Sequence, residues 1–293
     1  MKTIVPPLKS QGIKTKLVPW IRAVLPGNSG TWIEPFMGTG VVGFNMGFDK
    51  AILNDTNPHI VKFYRGIQSG KITPISVKQY LKEQGNLLRV AGDSGYDHYR
   101  LVKDRFNESF DSLDFLFLSR AGFNGMMRFN QAYVTKIVNQ VKTCSFAIKK
   151  EWQFYCEDFE RIIELAEEGD VIYCDPPYFG RYADYFNGWN EDDERRLFKS
   201  LSETKAFFIL STWLHNDYRE NEMVEKYWSN FNIVSKDHFY HSGGKEENRR
   251  SVVEALVCNF PVDIEKHNYS DEEKSPEQLI LLERKAKYGT TRR

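Results

Sequence analysis

The run Val171-Ile172-Tyr173-Cys174 leads straight into Asp175-Pro176-Pro177-Tyr178, and few architectures accommodate that junction. Four apolar, β-prone residues after Glu167-Glu168-Gly169-Asp170 predict a short buried strand. Two consecutive prolines can neither donate to a ladder nor continue a helix, so Asp175 to Tyr178 must lie on an irregular turn at the strand's carboxyl end. In an open α/β sheet that end is where ligands bind. The turn also suits chemistry on a planar amine. Asp175 and the carbonyl of Pro176 can each accept a hydrogen bond from an NH2 group, and Tyr178 can stack on the ring that carries it. The plainer alternative is a proline-rich turn in which Asp175 is an ordinary turn residue.

An earlier segment supplies the rest of such a sheet. Thr31-Trp32-Ile33-Glu34-Pro35-Phe36 predicts a first buried strand, followed by Met37-Gly38-Thr39-Gly40 and a helix from near Val41. Strand, glycine loop and helix form the arrangement that lets backbone approach a nucleotide or nucleoside. A lone G-x-G is a weak signal, but Ala51-Ile52-Leu53-Asn54-Asp55 adds a second strand ending in an acid. Asp55 follows Gly38 by 17 positions, near the roughly 20-residue offset of an acid that binds ribose hydroxyls. It is otherwise a cap for the helix after Pro58. Upstream, Lys9-Ser10-Gln11-Gly12-Ile13-Lys14 enters an amphipathic helix over Leu17 to Leu25. Its lysines either solvate a helix start or hold an anion near it.

Residues 60–150 change character. Helical spacing dominates over Ser76–Leu88, Tyr96–Phe106 and Leu113–Leu118, which predicts an inserted, mainly helical region. Within it, Ser119-Arg120-Ala121-Gly122-Phe123-Asn124-Gly125-Met126-Met127-Arg128-Phe129-Asn130 is too rich in Gly, Asn and Arg for a helix core. It suits a loop for DNA: Arg reads guanine edges or phosphates, Asn reads adenine, and Phe or Met can wedge between bases. The structural alternative places Arg120 and Arg128 in surface ion pairs. The α/β rhythm then resumes with a strand at Trp152–Cys156. Asp158 at its end either receives an adenine NH2 or caps the helix from Phe159 to Ala166. Further expected elements are a helix at Glu191–Ser202, a buried strand at Ala206–Trp213, and closing strands at Phe231–Val234 and Val252–Asn259. The charged stretch from Val262 onward reads as peripheral.

Composition sets the outer limits. Formal net charge is zero over 293 residues, so contact with nucleic acid has to come from a local basic patch. The cysteines at 144, 156, 174 and 258 show neither Cys-x-x-Cys nor zinc spacing, which fits free thiols in a reducing cytoplasm and no metal. No stretch has the length of a membrane span.

Taken in order, the segment Lys9–Lys14, Glu34-Pro35-Phe36-Met37-Gly38-Thr39-Gly40, Asp55, the Arg120–Asn130 loop, Asp158 and Asp175-Pro176-Pro177-Tyr178 resemble the Dam-like (D12 class, α group) adenine-N6 DNA methyltransferases. Lys9–Lys16, Cys174–Tyr178 and His215–Asn221 are similar in particular to EcoRV-type modification methyltransferases. The resemblance runs from about Pro6 to Asn259. It implies an α/β fold: a Rossmann-like seven-stranded methyltransferase sheet with an inserted, mainly helical target-recognition domain. Residues 1–59 and 151–262 would form the catalytic domain, 60–150 the target-recognition domain, and 263–293 a C-terminal tail. It also implies S-adenosylmethionine as methyl donor and double-stranded DNA as substrate. Ser10 and Lys14 would sit beside the donor, with Glu34 and Pro35 to Gly40 wrapping its methionine half. Asp55 would hold the ribose, and Asp158 with Phe159 the adenine. Asp175, Pro176, Pro177 and Tyr178 would hold a flipped target adenine. In the loop, Phe123 and Asn124 take the family's intercalating positions and Met126 and Arg128 its base-contacting positions, with Arg120, Gly125 and Asn130 beside them. Relatives read sites beginning with GAT, so a GAT-containing palindrome is expected, GATATC first. A monomer is expected, in a bacterial or phage-infected cytoplasm, acting beside a restriction endonuclease of the same site.

One departure stands out. Relatives carry a glycine-rich stretch with a Phe-Asn-(Val/Ile)-Pro-(Phe/Tyr) core after the Arg-Phe-Asn element, whereas here Arg128-Phe129-Asn130 passes directly to Gln131-Ala132-Tyr133. The sequence leaves its origin open: a natural deletion, an engineered one, or residues absent from the chain given. A DNA-binding protein that keeps the fold but has lost turnover is therefore the main competing reading. A methyltransferase for RNA or protein amides lacks a reason for the inserted region. A nicotinamide dehydrogenase has no use for Asp-Pro-Pro-Tyr.

Overall fold

A computed structural model describes residues 2–10, 12–27, 30–90, 95–121, 130–179, 188–216, 218–239 and 251–262. Its centre is a seven-stranded sheet made of β1 (Trp32–Glu34), β2 (Ala51–Asn54), β3 (Trp152–Tyr155), β4 (Val171–Cys174), β5 (Phe207–Asn216), β6 (Asn232–Phe239) and β7 (Ser251–Cys258), in the order β3-β2-β1-β4-β5-β7-β6. The first five strands in that order run parallel, and β7 is inserted antiparallel between β5 and β6. From β1 the chain builds outward through β2 to β3, then returns to place β4 on the other side of β1. The crevice between the ends of β1 and β4 is therefore the topological switch point, where ligands bind in open α/β sheets.

Alternation along the central strands divides the core in two. Trp32, Tyr173 and Ile209 point into one apolar cluster, and Ile33, Ile172 and Phe208 into the other, as a period of two requires. The first cluster takes α1 (Val18–Ala23), α2 (Gly43–Met46) and α3 (Pro58–Gln68). The second takes α8 (Phe159–Ile163), α9 (Glu191–Glu203) and the short π-helical turn Val224–Trp228. Asn caps start several of these helices. Asn57 Oδ1 accepts from His59 N at 2.9 Å, and Asn190 with Asp193 forms a reciprocal capping box.

Between β2 and β3 the chain after α3 is helical, as expected: α4 (Pro74–Val90), α5 (Tyr96–Ser109), α6 (Ser112–Ala121) and α7 (Gln131–Ala147). These helices do not have a separate core. Val77, Leu81, Val102, Phe117 and Ile137 belong to the same buried cluster as Trp32 and Phe63. Residues Met1–Val262 form one compact unit, and the expected tail at 263–293 lies outside the described residues.

Three local differences have physical causes. The first is α7, which the sequence reading passed over because Val, Thr and Ile are frequent in it, residues of modest helix propensity. Its buried positions Val134, Ile137, Val141 and Cys144 nonetheless recur on one helical face. The second is β6, which extends to Phe239 through Lys236 and Asp237. Charges are ordinary on an edge strand, but they interrupt an apolar run. The third is the segment Ser119–Ala121, expected in a loop, which forms the last turn of α6.

Candidate active site

The carboxyl ends of β1, β2 and β4 bring three loops together, and Asn54 ties two of them to the end of β3. This wholly buried side chain donates to the carbonyls of Pro35 at 2.9 Å and Glu157 at 3.0 Å, and its Oδ1 accepts from Glu157 N at 2.9 Å. The glycine loop is fixed further by Met37 N on Asn54 O at 2.8 Å and by Gly38 N on Asp55 Oδ2 at 2.9 Å. Gly38 and Gly40 adopt φ of +50° and +76°, the left-handed region that glycine occupies without strain. A Cβ on Gly40 would also lie 2.7 Å from the Phe44 ring. Tyr64 donates from its hydroxyl to the Thr39 carbonyl. The loop is thus held open by backbone conformation and by neighbours on α2 and α3.

Asp55 does not cap α3, since Asn57 takes that role. Its two oxygens accept from Gly38 N and Asn57 N, the latter at 2.8 Å. Each carboxylate oxygen has a second lone pair, so capacity for a hydroxyl donor remains. Burial raises the Asp55 pKa, and the two backbone N–H groups oppose the rise. Glu34 behaves differently. It is 1% exposed, accepts from Trp32 Nε1 at 3.0 Å, and its Oε2 would lie 2.6 Å from a Cβ on Gly43. Burial pushes its pKa up to about 8, and the nearby Asp175 adds to the rise. Its carboxyl is directed into the seam between β1 and α2.

Asp158 takes the helix cap, one of its two expected roles. Its Oδ1 caps α8 through Glu160 N at 3.0 Å and receives Arg196 Nη2 at 2.8 Å. Beside it, Phe36, Phe159 and Trp189 form an aromatic trio with ring centroids 5.3 to 5.7 Å apart. The Arg196 guanidinium lies 4.8 Å over Phe159.

Across the crevice, Asp175 follows the last residue of β4, and its carboxylate Oδ1 lies 3.0 Å from Lys14 Nζ. Lys14 is almost wholly buried just before α1, and its carbonyl accepts from Leu17 N and Val18 N at 2.9 and 3.1 Å. The same ammonium lies 4.5 Å over the Tyr178 ring. Burial raises the Asp175 pKa, and Lys14 is the main group opposing the rise. Tyr178 donates its hydroxyl to Glu254 Oε2 at 2.6 Å and lies 3.1 Å from Ser211 Oγ. Neither Ser211 on β5 nor Glu254 on β7 was selected from sequence. The signal for Glu254 was present, as the one acid within Val252–Cys258, an otherwise apolar strand pattern.

Placement of the expected DNA contacts is partial. Phe123, Asn124, Gly125, Met126 and Arg128 lie outside the described residues. Arg120 corrects the loop reading: it ends α6, is 1% exposed, and donates from Nη2 to Gln140 on α7. It is neither a surface ion pair nor a residue displayed on a loop. Asn130 caps α7 by accepting from Tyr133 N at 2.8 Å. The chain therefore enters α7 directly at Asn130. Lys9 N donates to Ser119 Oγ at 3.0 Å, which ties the segment holding Ser10 to α6.

A doubly wound sheet with a glycine loop after β1, an acid after β2 and Asp-Pro-Pro-Tyr after β4 defines a Rossmann-like methyltransferase sheet, with these three loops gathered at its switch point. Sequence comparison is more specific. The profile of the D12 class N6 adenine-specific DNA methyltransferases matches residues 10–242, and the chain belongs to that family. It is 33% identical over 187 residues to a DNA adenine methylase of Haemophilus influenzae, covering 59% of this chain and 63% of that protein. It is 27% identical over 280 residues to a type II methyltransferase of Planomicrobium okeanokoites, covering 87% of this chain and 42% of that one. A type II methyltransferase of Lactococcus lactis subsp. cremoris is 26% identical over 279 residues, with 86% of this chain and 94% of that protein covered. The chain thus spans less than two thirds of the length of the first two.

Proposed function

We propose that this protein transfers a methyl group from S-adenosylmethionine to N6 of an adenine in double-stranded DNA, within a GAT-containing palindrome, GATATC first. The observation that carries the reading is the Lys14–Asp175–Tyr178 arrangement beside the switch point. It joins an acceptor for an exocyclic amine to an aromatic face at the end of β4. The donor fits the residues present. Gly38 and Gly40 leave a loop without side-chain bulk, Asp55 keeps acceptor capacity for ribose hydroxyls, and Phe36, Phe159 and Trp189 offer flat apolar surface for an adenine. Ser10, Lys14, Pro35 to Gly40, Asp158 and Phe159 complete the set assigned to it. Glu34 belongs to the same assignment, although its carboxyl is turned toward Trp32 Nε1.

When bound, the donor supplies an electrophilic sulfonium methyl. The protein's own residues do the rest. The target adenine leaves the stack and lies on Tyr178. Its N6 protons are held by Asp175 and by the Pro176 carbonyl. These bonds would draw the nitrogen lone pair out of conjugation with the ring. On gaining the methyl, N6 would release one proton, which Asp175 would take, while the electron pair of the broken S–CH3 bond would stay with the donor's sulfur. No covalent enzyme intermediate is required, and positioning with fixed electrostatics lowers the barrier. Pro176 and Pro177 keep the turn rigid.

We assign residues 1–59 and 151–262 to catalysis and 60–150, with Phe123, Asn124, Gly125, Met126 and Arg128, to target recognition. The protein acts as a monomer, and a restriction endonuclease of the same site is its natural counterpart. Kinship to EcoRV-type enzymes is part of the same proposal. The second reading, a DNA-binding protein without turnover, draws on the direct passage of Asn130 into α7.

Purified protein, labelled S-adenosylmethionine and duplexes containing GATATC, GATC, single-base variants or no site separate these readings. Label appearing as N6-methyladenine in GATATC alone supports the full proposal. Label in every duplex would overturn the specificity. No label in any duplex, with donor binding intact by calorimetry, would favour the inactive binder.

A further inference from the structure

Tyr178 is restrained at three points, and one of them comes from the far end of the chain. Its ring face is covered by Lys14 Nζ at 4.5 Å. The peptide after it is held where Trp213 Nε1 donates to the Phe179 carbonyl at 3.2 Å. Its hydroxyl reaches across β5 to Glu254 Oε2 at 2.6 Å, with Ser211 Oγ at 3.1 Å. Glu254 is 0% exposed and stands on β7, in register with Trp213 on β5 and Lys236 on β6. A carboxyl group taken wholly out of water is costly unless it is well bonded. A neutral hydroxyl such as Ser211 would already satisfy a tyrosine. The acid adds a shorter, charge-assisted bond, and that bond fixes the ring's far end.

We propose that Glu254 is a positioning residue: by holding the Tyr178 hydroxyl it sets the plane on which the target adenine stacks, and so the distance from that adenine's N6 to Asp175. The inference rests on the reading of Tyr178 as the stacking face. Two features of the turn make an external restraint necessary. Pro176 and Pro177 fix the backbone before Tyr178 but leave its two side-chain torsions free. Tyr178 is itself only partly buried, so packing alone does not set the angle of its ring. Near-attack geometry is sensitive to displacements of about 1 Å, and a ring that rocks about its Cα–Cβ bond moves a stacked base by at least that much. The residue acts through Tyr178 and does not meet the substrate.

The test compares E254A, E254Q, Y178F, Y178A and the double variant Y178F/E254A. Each is read for kcat and KM on a site-containing duplex series, for donor affinity by calorimetry, and for thermal melting. A duplex with 2-aminopurine at the target position reports the stacked base through its fluorescence. E254A and Y178F should each lower kcat roughly tenfold, the size expected for one hydrogen bond to a charged group, with donor affinity within about twofold of the parent. E254Q, whose amide oxygen still accepts from the hydroxyl, should recover most of the rate. In the Y178F background E254A should cost little more, because the bond it removes is already gone. The 2-aminopurine signal should shift in E254A as it does in Y178F.

Equal losses from E254A in the parent and in Y178F would overturn the inference, as would an unchanged kcat in E254A. Should E254A fail to melt cooperatively, Y178F and E254Q decide, since both keep the volume of the site. A normal rate in Y178F would then sink the proposal. A normal rate in Y178A would remove the stacking reading itself, whereas loss in Y178A with none in Y178F would remove the role of Glu254 alone.

Discussion

Lys14, from the segment before α1, and Asp175, after β4, meet at 3.0 Å across the crevice of the sheet. The pair joins two segments 161 positions apart and favours the charged form of the acid to which the proposed reaction assigns the amine. Ionised, Asp175 is the stronger acceptor for an amine proton and offers both oxygens. Burial works against this, and Lys14 works for it. Activity should therefore fall as pH is lowered through the raised Asp175 pKa. Removing the ammonium as Lys14→Met should move this acid limb to higher pH and lower kcat near neutrality by at least about tenfold. A pH–kcat profile that overlays the parent's would count against the pairing.

Asp175→Ala should abolish turnover while leaving donor binding largely intact, because the proposed mechanism assigns Asp175 to the target amine and not to the donor. Asp175→Asn tests charge at nearly constant shape and should also fall by about two orders of magnitude or more, in line with losing one preorganised group. Single-turnover kinetics beside calorimetry of the donor make the comparison. A near-normal rate in either variant would refute the mechanism.

Much of this site was legible before any coordinates, and the reason is local. Asp-Pro-Pro-Tyr and Met-Gly-Thr-Gly each force a turn by backbone chemistry alone, so the ends of β4 and β1 could be placed from the residues. Asn54 was not legible in this way. It sits in a strand pattern as an ordinary polar residue, and its value comes from carbonyls at positions 35 and 157, which only the parallel pairing of β2 with β1 and β3 brings within reach. Glu254 is the same kind of case, since β7 enters the sheet between β5 and β6. Arg120 failed for the opposite reason: its neighbours in sequence suggest a loop, but α6 and α7 pack around it.

Asn54→Ala follows from the same geometry. It strips a partner from the buried Pro35 carbonyl and from both backbone groups of Glu157, which lies at the exposed end of β3 where water can reach it. An unsatisfied buried group costs about 1–3 kcal/mol, and the Glu157 groups can turn to water, so a loss of about 1–3 kcal/mol in global stability is expected. Donor affinity should weaken as well, because both loops assigned to the donor are tied through this side chain. Denaturant melts and calorimetry report the two effects separately. A stable variant with unchanged donor affinity would contradict the role given to Asn54.

Glu34 makes a prediction about pH and stability instead of rate. Unfolded, its carboxyl titrates near 4.5; folded, burial between β1 and α2 holds it near 8. Between those values the folded chain keeps a proton that the unfolded chain has released. Stability therefore declines as pH rises through that window, and the contribution is complete only below the lower value. Glu34→Gln replaces the acid by a group that stays neutral and can still accept from Trp32 Nε1. Its melting temperature should fall less steeply than the parent's between about pH 5 and about pH 8.5, with the variant the more stable of the two at the upper end. Activity on a site-containing duplex should be largely kept, since the carboxyl faces Trp32 and Gly43 and not the crevice. Parallel slopes for the two proteins would mean that Glu34 is already ionised in the folded state, with its charge balanced within the seam between β1 and α2.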